Sequence, residues 1–113
     1  MKREILFRGL RTDGKGWAYG SLIGPHAGNA STYIIGWNGA DFEVNPETVG
    51  QFTGLRDRNG KQIFEGDKMI HLSETPCEVA FLNGAFVAVI ENGTEWPTDG
   101  WYGMEVTGNI HEQ

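Results

Sequence analysis

Hydrophobic and polar residues alternate in short runs along this chain, and turn residues break each run before it reaches helical length. Residues 4 to 10, Glu-Ile-Leu-Phe-Arg-Gly-Leu, predict a first strand, with Ile5 and Phe7 on one face. Thr12 to Gly16 is turn chemistry, and Trp17 to Ile23 alternates as a second strand, so residues 1 to 23 predict a hairpin. Thr32 to Trp37 is rich in β-branched and aromatic residues and predicts a third strand. Asn38-Gly39 then turns the chain into a short extended piece over Asp41 to Val44. Asn45-Pro46-Glu47-Thr48 has the form of a helix start, with Asn45 as cap and Pro46 in the first helical position. Gly50 follows so closely that only one turn is expected.

The second half repeats this grammar. Gln51 to Leu55 is a short segment, Asp57 to Gly60 a tight turn, Lys61 to Phe64 extended, and Glu65-Gly66-Asp67 a further turn before a strand over Lys68 to Leu72. Glu78 to Leu82 and Ala85 to Ile90 flank Asn83-Gly84. That two-residue turn pairs Phe81 with Phe86 and Val79 with Ala88 on one face, and Ala80 with Val87 and Leu82 with Ala85 on the other. Both faces are apolar, so the hairpin is expected to be central and covered on both sides. Residues 91 to 103 read as a loop, and Glu105 to Ile110 as a closing strand. The fold class is therefore mainly β with at most short helical turns, built of strongly bent sheets or a small SH3-like barrel.

Composition narrows this picture. The chain has 113 residues, which predicts one domain over its whole length, with a possible division into an N-terminal region (residues 1–45) and a barrel-like region (residues 46–113). Hydrophobic residues make up 39%, too many for a disordered chain, and 17 glycines without a fixed period fit many turns. A single cysteine, Cys77, excludes an internal disulfide and a multi-cysteine zinc site. No run approaches about 18 apolar residues, so no membrane partner is expected. The charged N-terminus reads as no signal peptide, and the expected location is cytoplasmic. The net charge of −6 disfavours nucleic acid as a partner. Lys2, Arg3, Arg8, Arg11 and Lys15 leave a local basic patch to consider, against the simpler reading of a solvated strand face.

Candidate chemistry is sparse. Between Gly54 and Gly60 lie five residues, and Lys61 is followed by Gln62, so the phosphate-loop spacing and its magnesium hydroxyl are both missing. Placing Gly60 at the sixth position of a calcium loop puts Leu55 and Gly66 where acidic ligands belong. Glu65 and Asp67 share a strand face, which would suit acid–base work or a metal, but a turn accepting backbone N–H bonds explains them more simply. His26, His71 and His111 show no ligand spacing, and Cys77 reads as a half-buried thiol. No catalytic residue, cofactor or metal is assigned. Aromatics in small β domains mostly build the core, yet Trp96 and Trp101 lie on one loop where two indoles are hard to bury. With Tyr102 they form the candidate binding site.

One long motif carries more. "VNPETVGQFTGLRDRNGKQIFEGD", residues 44 to 67, resembles the signature of the YopX family of phages and prophages. "ILFRG" at 5 to 9, "GWAYGSLI" at 16 to 23, "FLNGAF" at 81 to 86 and "EVTGNIHE" at 105 to 112 extend the resemblance over most of the chain, while residues 24 to 41 and 91 to 103 depart from it. The resemblance implies a phage or prophage protein inside a bacterial host, without assigned catalytic residues. It implies a structural role for Pro46, Glu47, Thr48, Gly50, Gln51, Thr53, Gly54, Leu55, Asp57, Asn59, Gly60, Glu65, Gly66 and Asp67, and for Gly108 and Asn109. Thr48, Thr53, Glu65 and Asp67 are expected to hydrogen-bond across the motif. The function expected is a non-catalytic module binding a host or phage protein. The alternatives are a nucleic-acid-binding β domain, a homo-oligomer assembled through strand edges, and, less favoured, a small metal-dependent hydrolase.

Overall fold

A computed structural model of the protein describes residues 5–24, 31–36, 38–71, 75–98 and 100–111. Among these residues the elements are β-strands and two 3₁₀ turns, with no α-helix. Among the described residues, no helix is long and apolar enough to cross a membrane. The strands pair antiparallel, and no closed barrel is found among the described residues. The chain divides into two compact units, Met1–Gln51 and Phe52–Gln113.

In the first unit, β1 (Phe7–Leu10) and β2 (Trp17–Ile23) form the expected hairpin, with Leu10 opposite Trp17 and Phe7 opposite Gly20. β2 passes on to β3 (Thr32–Ile35), and β3 to β4 (Asp41–Val44). Lys2, Arg3, His26 and Trp37 lie outside the described residues, as does Leu72 at the end of a later predicted strand. Alternation turns Ala18, Ile34 and Val44 inward, where Phe7, Phe42 and Val49 pack on them. The sheet bends strongly. β4 returns to the end of β1 through one bridge, Arg11 to Val44, and Asn45 N–H donates to the Leu10 carbonyl at 2.9 Å. Asn45 then caps a single 3₁₀ turn, Pro46–Thr48, by accepting Glu47 N–H at 3.0 Å, as the sequence predicts. Gly20 is required where β2 meets β3: at φ +154° a Cβ there would lie 1.9 Å from the Ile35 carbonyl oxygen.

The second unit holds most of β5 (Gly50–Arg56), then β6 (Gln62–Phe64), β7 (Asp67–Ile70), β8 (Pro76–Leu82), β9 (Ala85–Ile90), β10 (Glu95–Trp96) and β11 (Glu105–Asn109). One sheet runs in the order β10-β9-β8-β7-β11. The β8–β9 register agrees with the sequence pattern at every pair, because Asn83 at φ 53° and Gly84 at φ 83° make the tight primed turn that fixes it. The hairpin is central but is not covered on both sides. Cys77, Val79 and Ala88 are buried against Ile63, Met69, Trp101 and Met104, while Phe81 and Leu82 at the tip are 49% and 39% exposed. The arm runs beyond the core, and the Phe81 and Phe86 rings cover each other edge-to-face at 4.9 Å.

The stretch 91–103 is more ordered than a loop. Asn92-Gly93 turns the chain, with Thr94 N–H donating to the Asn92 side chain at 2.9 Å, and β10 pairs back on β9. The second 3₁₀ turn, Trp101–Gly103, follows.

The close approach at Gly20 gives a direct test by urea denaturation. Gly20→Ala is expected to destabilise the protein by about 1–3 kcal/mol through overpacking and strain. Gly24→Ala, with open space around the new methyl, should stay within about 0.5 kcal/mol.

Candidate functional site

The long motif folds into a series of side-chain-to-backbone knots. Thr48 Oγ1 donates to the Asn45 carbonyl at 2.6 Å and accepts Leu10 N–H at 2.8 Å, tying the 3₁₀ turn of Pro46 and Glu47 to β1. Gly50 and Gln51 pair with Arg8 and Phe7. Thr53 Oγ1 donates to the Ile63 carbonyl at 2.8 Å and accepts Leu55 N–H at 3.2 Å. It does so across a register shift in β5, where Gly54 adopts φ +87°. Leu55 packs against the second core.

Asp57 is the densest of these knots. It is 5% exposed, yet its carboxylate accepts three backbone N–H groups: Asn59 at 2.8 Å, Lys61 at 2.9 Å and Val106 at 2.9 Å. The first two close the turn that Gly60 completes, and the third reaches β11. Beside it, Arg58 N–H donates to the Met104 carbonyl at 2.9 Å, and Asn59 Nδ2 to Glu105 Oε1 at 3.1 Å. The turn thus occupies the Val106 N–H of β11 and the Met104 carbonyl just before it, on what would otherwise be an open strand edge. Burial pushes the Asp57 carboxyl up. The three N–H bonds and nearby Lys61 outweigh that and hold it below the ordinary value of 3.8.

Asp67, 1% exposed, makes the second knot. It accepts Phe64 N–H at 2.8 Å and Asn109 Nδ2 at 3.3 Å. Asn109 in turn accepts His111 N–H at 2.9 Å, just beyond the bulge that ends at Gly108. Gly66, at φ +91°, leaves room for the Asn109 amide, which a Cβ would approach to 3.1 Å. Glu65 is half-buried and makes no side-chain hydrogen bond among the described residues. Of the four side chains expected to bond across the motif, Thr48, Thr53 and Asp67 do so. The Asp67 carboxylate is turned into backbone and amide donors inside the protein. Among the described residues no group of three His, Cys, Asp or Glu side chains is placed to hold a metal.

The aromatic candidates do not form one surface. Gly100, at φ +85°, starts the 3₁₀ turn whose successive side chains diverge, so Trp101 points inward at 1% exposure and Tyr102 outward at 78%. The expectation that two loop indoles resist burial fails here, because that turn and β10 fold the stretch back onto the core. Trp96 is half-buried on that core and meets the His71 ring at 5.7 Å. Two arginines of the first unit are also engaged. Arg8 is buried with its guanidinium 4.2 Å from the Trp17 ring centre, and Arg11 stacks on Phe42 at 4.2 Å while pairing with Asp13.

What the second unit does offer is a hollow of about 500 Å³ over β7, β8 and β9. Ile70, Pro76, Val89 and Ile110 give it apolar walls, with Lys68 and Glu78 among its polar residues. The Cys77 thiol borders it but is buried, pushed up in pKa by desolvation, and within 3.6 Å of the Met69 carbonyl, so it is a poor nucleophile. Sequence reasoning missed this hollow. Of its apolar walls, Ile70, Pro76 and Val89 come from three strands and meet only through the pairing of β7, β8 and β9.

Compared with known proteins, the sequence model of one family, described as YopX protein, matches residues 6–113. No curated protein matches the chain.

The knots and the aromatic turn can each be tested by substitution. Asp57→Asn should cost about 2–3 kcal/mol at neutral pH, since one oxygen acceptor becomes a donor facing buried N–H groups. The wild-type advantage is complete above the unfolded aspartate pKa of about 3.9 and is lost as pH falls through the lower folded value, so the two proteins should converge in acid. A pH-independent gap in urea midpoints would contradict this. Trp101→Ala should cost about 3–5 kcal/mol and Tyr102→Ala within about 0.5 kcal/mol, read from the same titrations.

Proposed function

The chain belongs to the YopX family, and on that premise we propose that it is a non-catalytic module that binds a host or phage protein through the apolar hollow of its second unit. The observation that carries this reading is the hollow itself: its volume is that of a ligand site, and its walls are mainly apolar, with Lys68, Glu78, Glu91 and Thr107 as the polar lining. The acid–base candidates point the same way. Asp67, the partner of Glu65 in the candidate pair, and Asp57 accept backbone and amide donors, which suits holding a fold. Nucleic acid fits less well, since Arg8 and Arg11 are engaged on aromatic rings and the net charge is −6. The setting we propose is the cytoplasm of a bacterial host during phage infection or lysogeny.

Capture from nuclease-treated host lysate tests the surface when variants are compared. Val89→Arg, which fills the hollow with a charge, is expected to lose at least about tenfold of the captured partner, corresponding to about 1.4 kcal/mol. Tyr102→Ala should retain it. The opposite pattern would move the site to the aromatic turn. Capture that disappears with nuclease would favour nucleic acid.

A further inference from the structure

The face that carries the hollow is unequally charged. Residues directly opposite in an antiparallel ladder share a face. Lys68 is opposite Glu78, Glu78 opposite Val89, and Val89 opposite Glu95, so these four form one row across β7 to β10. Glu105 is opposite Ile70 and Ile70 opposite Pro76, forming a second row. Glu91 lines the hollow beside them. Among the described residues, four carboxylates therefore share the face of the hollow with one ammonium, Lys68: Glu78 and Glu91 line it, while Glu95 and Glu105, the latter bonded to Asn59, stand at the ends of the two rows. That is a net charge of −3 on this face. Glu78, Glu91 and Glu95 are exposed.

This charge sorts the possible occupants. Nucleic acid and anionic lipid meet a field of their own sign. A second copy docking by a two-fold axis would set the same acidic face against itself. A partner segment whose aliphatic side chains enter between Ile70, Pro76 and Val89 while lysine or arginine lies over the surrounding carboxylates meets complementary groups at each point.

We infer that the hollow takes a short, cationic, apolar peptide segment of a partner protein, with lysine or arginine flanking its aliphatic residues. The inference rests on the docking role proposed above and adds the chemistry of the occupant. Apolar burial supplies affinity, and the acidic rim supplies selection and its salt dependence.

Three labelled peptides of equal length test it against the full chain by fluorescence anisotropy: leucine alternating with lysine, with serine and with glutamate. At low salt the lysine peptide is expected to bind about tenfold tighter than the serine peptide, the sum of a few exposed ion pairs. That advantage should shrink at high salt. The combined variant Glu78→Gln, Glu91→Gln, Glu95→Gln should remove the advantage and leave the serine peptide unchanged, and Val89→Arg should weaken both peptides. Equal binding of the serine and lysine peptides, or preference for glutamate, would overturn the charge inference while leaving the docking role standing. Binding of the lysine peptide that Val89→Arg does not affect, or no binding by any peptide, would overturn both.

Discussion

A single buried carboxylate organises the second unit. Asp57 draws together the turn that contains it and a strand 49 residues away, and it does so with the only kind of group that accepts three N–H donors at once. Removing a carboxylate from water is costly, and here backbone dipoles offset that cost. The consequence reaches beyond the turn. β11 is the last strand of its sheet; Asp57 takes up the Val106 N–H on it, and Arg58 the Met104 carbonyl just before it. With that strand held, β7 is an interior strand, and β7 with β8 and β9 presents the walls of the hollow.

The Glu-Gly-Asp turn works alongside it by the same chemistry. Asp67 at the start of β7 holds Phe64 and Asn109, and Gly66 joins two strands through backbone bonds, donating to Val79 and accepting from Ile110. Both ends of β11 are therefore fixed by aspartates from one motif. That accounts for a stretch with acids and glycines at turn positions and no catalytic spacing. Its aspartates Asp57 and Asp67 are acceptors for amides, and its glycines Gly54, Gly60 and Gly66 stand where φ is positive.

Much of this was legible in the sequence wherever one residue pair decides the local geometry. Asn83-Gly84 set the whole β8–β9 register, and Asn45-Pro46 set the start of a single helical turn. The failures have a common cause, which is that they depend on partners distant in sequence. β10 is two residues long and exists because β9 pairs with it, though Asn92-Gly93 was the same kind of turn signal as Asn83-Gly84. Trp101 is buried because a turn after Gly100 reverses it onto the core. The bond from Asp57 to Val106 leaves no trace in any local window. The hollow was hidden because its walls come from three strands, Ile70 on β7, Pro76 on β8 and Val89 on β9, which no local window brings together.

Amide hydrogen exchange at Asn59, Lys61 and Val106 tests this account most directly. All three N–H groups should be protected in the wild-type protein and should lose protection together in Asp57→Asn, with Val106 falling as far as the two amides of the turn. If Val106 kept its protection while Asn59 and Lys61 lost theirs, Asp57 would be a local turn residue only, and the hold it is assigned on β11 would be wrong.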